Sequence, residues 1–62
     1  MIGDEVRRAR GKRTIASFAK LLETQSSTIS YIERGIREPS KTLARKLSIL
    51  TGVPVDKYLY ND

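Results

Sequence analysis

Between Gln25 and Glu33 the chain reads QSSTISYIE, a run of amide and hydroxyl side chains with no charge before Glu33. Such groups both donate and accept hydrogen bonds, which suits contact with the edges of nucleic-acid bases. An ordinary surface helix would carry Lys and Glu at its outward positions. Here the outward positions of a helical reading hold Ser26, Ser27, Ser30, Tyr31 and Arg34, while Ile29 and Ile32 share the opposite side. Gln25 is a poor N-cap but can bond a phosphate or an adenine, and Thr28 sits at the shoulder between the two sides.

These residues lie on the second of two apolar-periodic segments within Thr14 to Gly35. In the first, Thr14 is a good N-cap, and Ile15, Phe18, Ala19 and Leu22 follow the i, i+3, i+4, i+7 stripe of a helix ending near Leu22 or Glu23. The second begins at Gln25 or Ser26 and stops before Gly35, a favourable C′ residue. A helix-turn-helix unit needs a small residue at the crossing, a short turn, and a second helix that buries one side only. Ala19, Glu23-Thr24-Gln25, and the Ile29/Ile32 face meet these needs. The inward residues fit an αα-hairpin of a small bundle equally well; the outward ones favour a helix that reads bases.

The remaining elements follow from the same rules. A first helix spans Ile2 to about Arg10, with Ile2, Val6 and Ala9 at helical spacing. Its acids, Asp4 and Glu5, come early and its bases, Arg7, Arg8 and Arg10, come late, as the helix dipole favours. Gly11 stops it, and Lys12-Arg13 form a basic connection. Ile36 to Pro39 reads as a loop. Ser40 caps a fourth helix with Leu43, Leu47 and Leu50 inward and Ala44 allowing close approach, ended by Gly52. Val53-Pro54-Val55 leads to a short helix holding Tyr58 and Leu59. The expectation is a single all-α domain over residues 1–62, a compact bundle of about five short helices with a central helix-turn-helix.

Composition narrows the chemistry. The 62 residues contain neither Cys nor His, which excludes a disulfide framework, thiol catalysis and the usual zinc ligands. There is no Gly-rich phosphate loop and no carboxylate pair in an evident cleft, so no catalytic residue, metal, cofactor or small-molecule substrate is expected. Twelve Lys plus Arg against seven Asp plus Glu give a net charge of +5, which fits an anionic partner. A membrane surface would require a long Lys-rich amphipathic helix with large apolar anchors, and none is present. No apolar run approaches the ~20 residues that span a bilayer, and no signal peptide is seen, so the chain reads as cytoplasmic.

The order and spacing of several fragments carry a resemblance. Ile2, Val6 and Arg10, then FAKLL (18–22), STISYIERG (27–35), EPS (38–40) and GVPVDKYL (52–59) are similar to the Cro/repressor-type helix-turn-helix family, the XRE-like group. ISYIERG, with Pro-Ser four residues beyond Gly35, is its most specific part. The resemblance implies a lambda repressor-like fold in a bacterial or phage-infected cell. It implies a transcriptional repressor that binds a palindromic operator as a homodimer, in solution or only on DNA, with the third helix (about Gln25–Glu33) in the major groove. Ser26, Ser27 and Tyr31 match base-facing positions, with Gln25 and Thr28 beside them. Tyr31 can meet a thymine methyl with its ring; its alternative is a half-buried aromatic packing beside the fourth helix. Arg10 and Glu33 match an ion pair between the first and third helices, for which Arg7 or Arg8 could substitute; the alternative is two solvated charges. The C-terminal Tyr58–Tyr60 region and neighbouring loops match a dimer surface.

Phosphate contacts are expected from Arg34, Arg37, Lys41 and Ser30, and from Lys12, Arg13 and Lys20 near the second helix, with part of this set serving only as solvated cations. The helix start at Ser40 can add backbone N–H groups. Lys57 is expected to be a solvated cation, and Arg45 and Lys46 can as easily face water. Three features depart from the family pattern, one being a connection between the first and second helices about two residues shorter than the resemblance implies. Ile15 stands where a phosphate-touching Gln is common. Glu23-Thr24 replaces Gly and an apolar residue in the turn, and a left-handed Glu is costly, so a turn of different shape is expected. Another class of function is the DNA-binding or interaction module of an antitoxin-type regulator, which would need a toxin-binding extension.

Overall fold

The computed structural model describes residues 2–59, which form five helices: α1 (Ile2–Arg10), α2 (Ile15–Leu21), α3 (Ser26–Glu33), α4 (Lys41–Thr51) and α5 (Asp56–Leu59). The local chemistry accounts for the boundaries. The Thr14 side chain accepts the Ser17 N–H at 3.1 Å, and that of Ser40 accepts the Leu43 N–H at 3.2 Å, so each hydroxyl satisfies an orphan donor of its helix. Gly11 and Gly52 take positive φ values of 59° and 77° where α1 and α4 end.

The core gathers one face from every helix. Val6 of α1, Phe18 of α2, Ile29 and Ile32 of α3, Leu47 of α4 and Tyr58 of α5 are fully buried. Ala19 and Ala44 are buried too, and their small side chains let neighbouring helices approach. The reading-helix candidate α3 packs against α1 and α2, while α1 also reaches α4 and α5. Thus α3 is held from behind by two helices.

Three sequence expectations need correction. Leu50 is 38% exposed rather than inward. The place at the end of the α4 core face belongs to Thr51, whose hydroxyl donates to the Leu47 carbonyl at 2.8 Å, accepts the Val53 N–H at 3.1 Å and lies 3.0 Å from the Tyr58 hydroxyl. Tyr58 therefore belongs to the protomer core. It offers no dimer surface, and its buried hydroxyl is satisfied by Thr51. Leu59 is half-buried, and Tyr60 lies outside the described residues. Third, the turn between α2 and α3 has the ordinary left-handed shape after all, with Glu23 at φ 58°.

Candidate nucleic-acid interface

Helix α3 turns about 100° per residue, so positions 26, 27, 30, 31 and 34 fall on one arc. Ser26, Ser27 and Arg34 are exposed along it, Tyr31 is 39% exposed, and Ser30 is half-buried. Ile29 and Ile32 fill the opposite side. The Arg34 guanidinium lies over the Tyr31 ring, 5.3 Å from its centroid, a cation–π contact that gives two long side chains one shared orientation. Gln25 is the N-cap of α3, yet its side chain makes no capping hydrogen bond. Its exposed amide can thus turn outward.

The helix starts differ in charge. The first turns of α2, α3 and α4 contain no acidic residue, whereas α1 begins with Asp4 and Glu5 and α5 with Asp56. The first turns of the three middle helices thus leave their positive dipole ends without an acid of their own, with Glu23 and Glu38 standing two residues before the N-caps of α3 and α4.

The rear of α3 is anchored by charge. Glu33 is buried and accepts from Arg10 Nε at 2.8 Å and Arg10 Nη2 at 3.1 Å, with Arg7 Nε at 3.5 Å. The fork-to-carboxylate geometry is directional. Arg10 Nη1 also donates to the Arg13 carbonyl at 2.8 Å, so one guanidinium joins α1, α3 and the α1–α2 connection. The Arg10 pKa is raised above its ordinary value. The hydrogen bond to Glu33 is the main cause; partial burial opposes it, and the Glu33 charge assists. A buried pair of this kind fixes orientation more than it adds stability.

Of the cations expected to hold phosphates, Lys12, Arg13, Lys20, Arg34, Arg37 and Lys41 are all exposed. Lys46 is tied down instead: its Nζ donates to the Leu22 carbonyl at 3.3 Å and lies 3.6 Å from Glu23. Thr28 is half-buried and lines a groove of mixed charge with Glu23, Arg37, Glu38, Ser40 and Lys46, between the α2–α3 turn and the start of α4. The structure therefore gathers Ser26, Ser27, Ser30 and Tyr31 on one arc and sets Thr28 at its edge with Arg37.

With this geometry in place, comparison with protein families shows that the helix-turn-helix family model matches residues 5–58. The chain belongs to the Cro/C1-type helix-turn-helix family. It is a DNA-binding transcription regulator of the XRE type, and the family is a DNA-binding rather than an enzymatic one. No curated protein and no solved structure matches the chain. Among the described residues, no helix is long and apolar enough to cross a membrane.

Within this helix-turn-helix protein, two of the departures from the family pattern have distinct outcomes. Ile15 is partly buried against the core, so it gives up the polar contact common at that place in favour of packing. Glu23 keeps the turn at the expense of backbone strain. Two structural contributors were not singled out from sequence. Lys46 had only its spacing to Glu23, which is distant along the chain. Gly3, buried where α1 meets the end of α3, had one signal: a glycine inside an otherwise good helix.

Proposed function

We propose that α3 is the reading helix of a repressor that binds a palindromic operator as a homodimer, acting in the cytoplasm of a bacterial or phage-infected cell. The observation that carries this reading is the row of Ser26, Ser27 and Tyr31 exposed on α3, with Arg34 over the Tyr31 ring and Arg37 in the groove beside Thr28. Hydroxyls on the helix with cations at its end and beside it match the division of labour in DNA recognition: phosphate contacts position, base contacts specify. Ser26, Ser27 and Gln25 bond base edges, directly or through water, and Tyr31 adds a ring for a thymine methyl. Thr28 supports them from the edge. Arg34, Arg37, Lys41, Ser30, Lys12, Arg13 and Lys20 clamp phosphates, helped by the backbone N–H groups at the start of α4.

Hydroxyls discriminate bases less sharply than a bidentate Arg or Gln. A single α3 is therefore a weak reader, and two copies related by a two-fold axis supply the missing specificity. Their half-sites would lie about one helical turn apart, roughly 34 Å. Selection from a random duplex library tests this reading. The expected product is a palindrome with half-sites at that spacing, bound with an affinity whose logarithm falls by about 0.9 per phosphate contact for each unit of log salt. Enrichment of no duplex, or an affinity indifferent to salt, would overturn it. A reporter carrying the enriched site should lose expression when the protein is supplied; a gain would overturn the repressor assignment.

A further inference from the structure

Helices disfavour glycine relative to alanine, because glycine has more backbone freedom to lose. Gly3 nevertheless sits in α1, and it is buried. A Cβ at this position would lie 2.8 Å from the backbone carbonyl oxygen of Ile32 and 2.8 Å from that of Glu33. Both contacts are with backbone, so no rotamer change relieves them; one helix must move. The same face of α1 carries Arg7 and Arg10, one and two turns further on, and both reach Glu33. Helix α1 thus meets the last turn of α3 at three points: a bare backbone contact at Gly3 and two charged ones. A crevice lined by Gly3, Asp4, Glu33, Arg34 and Gly35 marks the edge of this contact.

We infer that Gly3 is a positioning residue for the reading helix. Its missing side chain lets α1 rest directly on the carbonyls that end α3, and this stop sets the tilt at which Ser26, Ser27 and Tyr31 meet the bases. The eight-residue α3 moves as one rod, so a displacement at its last turn reappears at its first. Gly3 never touches DNA, yet it governs discrimination between sequences. The inference rests on α3 being the reading helix.

The test is Gly3→Ala, measured three ways: melting temperature, the ratio of affinities for the duplex enriched by the wild-type protein and a scrambled duplex of equal length, and the salt slope on the scrambled duplex. Helix propensity alone would raise the melting temperature. The expected result is a lower one. At a temperature where circular dichroism shows both proteins folded, the affinity ratio should fall at least tenfold. The salt slope should stay unchanged, since no cation is removed. Val53→Ala, at the α4–α5 corner, should lower the melting temperature while keeping the ratio. If Gly3→Ala does not fold alone, the ratio is compared in a Glu23→Gly background, with and without Gly3→Ala. A folded variant with the wild-type ratio overturns the inference, and so does a raised melting temperature. A wild-type protein that enriches no duplex overturns the reading of α3 instead; the melting temperature then still judges the contact.

Discussion

The two ends that bracket the reading helix make a controlled comparison. After α2, the Thr24 N–H donates to the Ala19 carbonyl at 2.9 Å and the Glu23 N–H to that of Lys20 at 3.1 Å. After α3, the Ile36 N–H donates to the Tyr31 carbonyl at 2.9 Å and the Gly35 N–H to that of Ile32 at 3.1 Å. These are the paired bonds of a Schellman motif, made twice. The left-handed residue is Glu23 at φ 58° in the first and Gly35 at φ 77° in the second. The backbone bonds are alike, while the left-handed residue differs. The turn is therefore imposed by the helices on either side, which must cross with Ala19 and Ile29 buried. Glycine lowers the strain of that shape without creating it. Glu23 bears the strain, with Lys46 close by to bond the Leu22 carbonyl and face the Glu23 carboxylate.

Five variants would break or sharpen this comparison. The largest effect should come from between the turns. Ile29→Ala removes a fully buried side chain, and denaturation should show a loss of about 2–5 kcal/mol, enough to loosen or unfold so small a domain. A fully stable variant would mean that packing neither holds α3 nor imposes the turns at its ends. Next is Gly35→Ala. No atom beyond its chain neighbours lies within 4 Å of the added Cβ, so its cost is that of the backbone alone, about 1–2 kcal/mol. Glu23→Gly should go the other way, gaining about 1 kcal/mol after allowance for the freer unfolded chain, or some 4–8 °C in melting temperature. If these two variants shift stability in the same direction, the turns are not equivalent.

The smallest effects concern DNA, and they contrast a residue just beyond the first turn, Ser27, with one just beyond the second, Arg37. Ser27→Ala should change which base is preferred at one operator position, by about 1 kcal/mol or less in competition binding. Arg37→Ala should weaken all duplexes alike and lower the salt slope by about 1. A uniform loss in both would erase the division between reading and clamping.

Much of the fold was legible because its signals are local. Thr14 and Ser40 announce helix starts through hydroxyls that bond their own neighbours, and Gly11, Gly35 and Gly52 mark ends through a backbone freedom each residue carries by itself. The apolar spacing of Val6, Phe18, Ile29 and Leu47 indicates which sides turn inward. At the end of α4 the same spacing rule leaves Leu50 and Thr51 as competitors, and hydrophobicity selects the wrong one. Thr51 takes the inner place because Tyr58 and Val53 bring polar groups that its hydroxyl satisfies. The outward hydroxyls of α3 were visible for the same reason as its inward isoleucines: the helical repeat sorts them. The partners of Lys46 were not, since Leu22 and Glu23 are far from it along the chain.

By itself, then, the amino-acid order determined five helices, their limits, and an uncharged face on the third, since each depends on residues a few positions apart. Tertiary structure decided that Glu23 is left-handed, that Tyr58 is core, that Leu50 is displaced by Thr51, and that Gly3 rests on the carbonyls of Ile32 and Glu33. Each of these depends on which distant segment occupies the neighbouring space, and only the packed bundle brings such segments together.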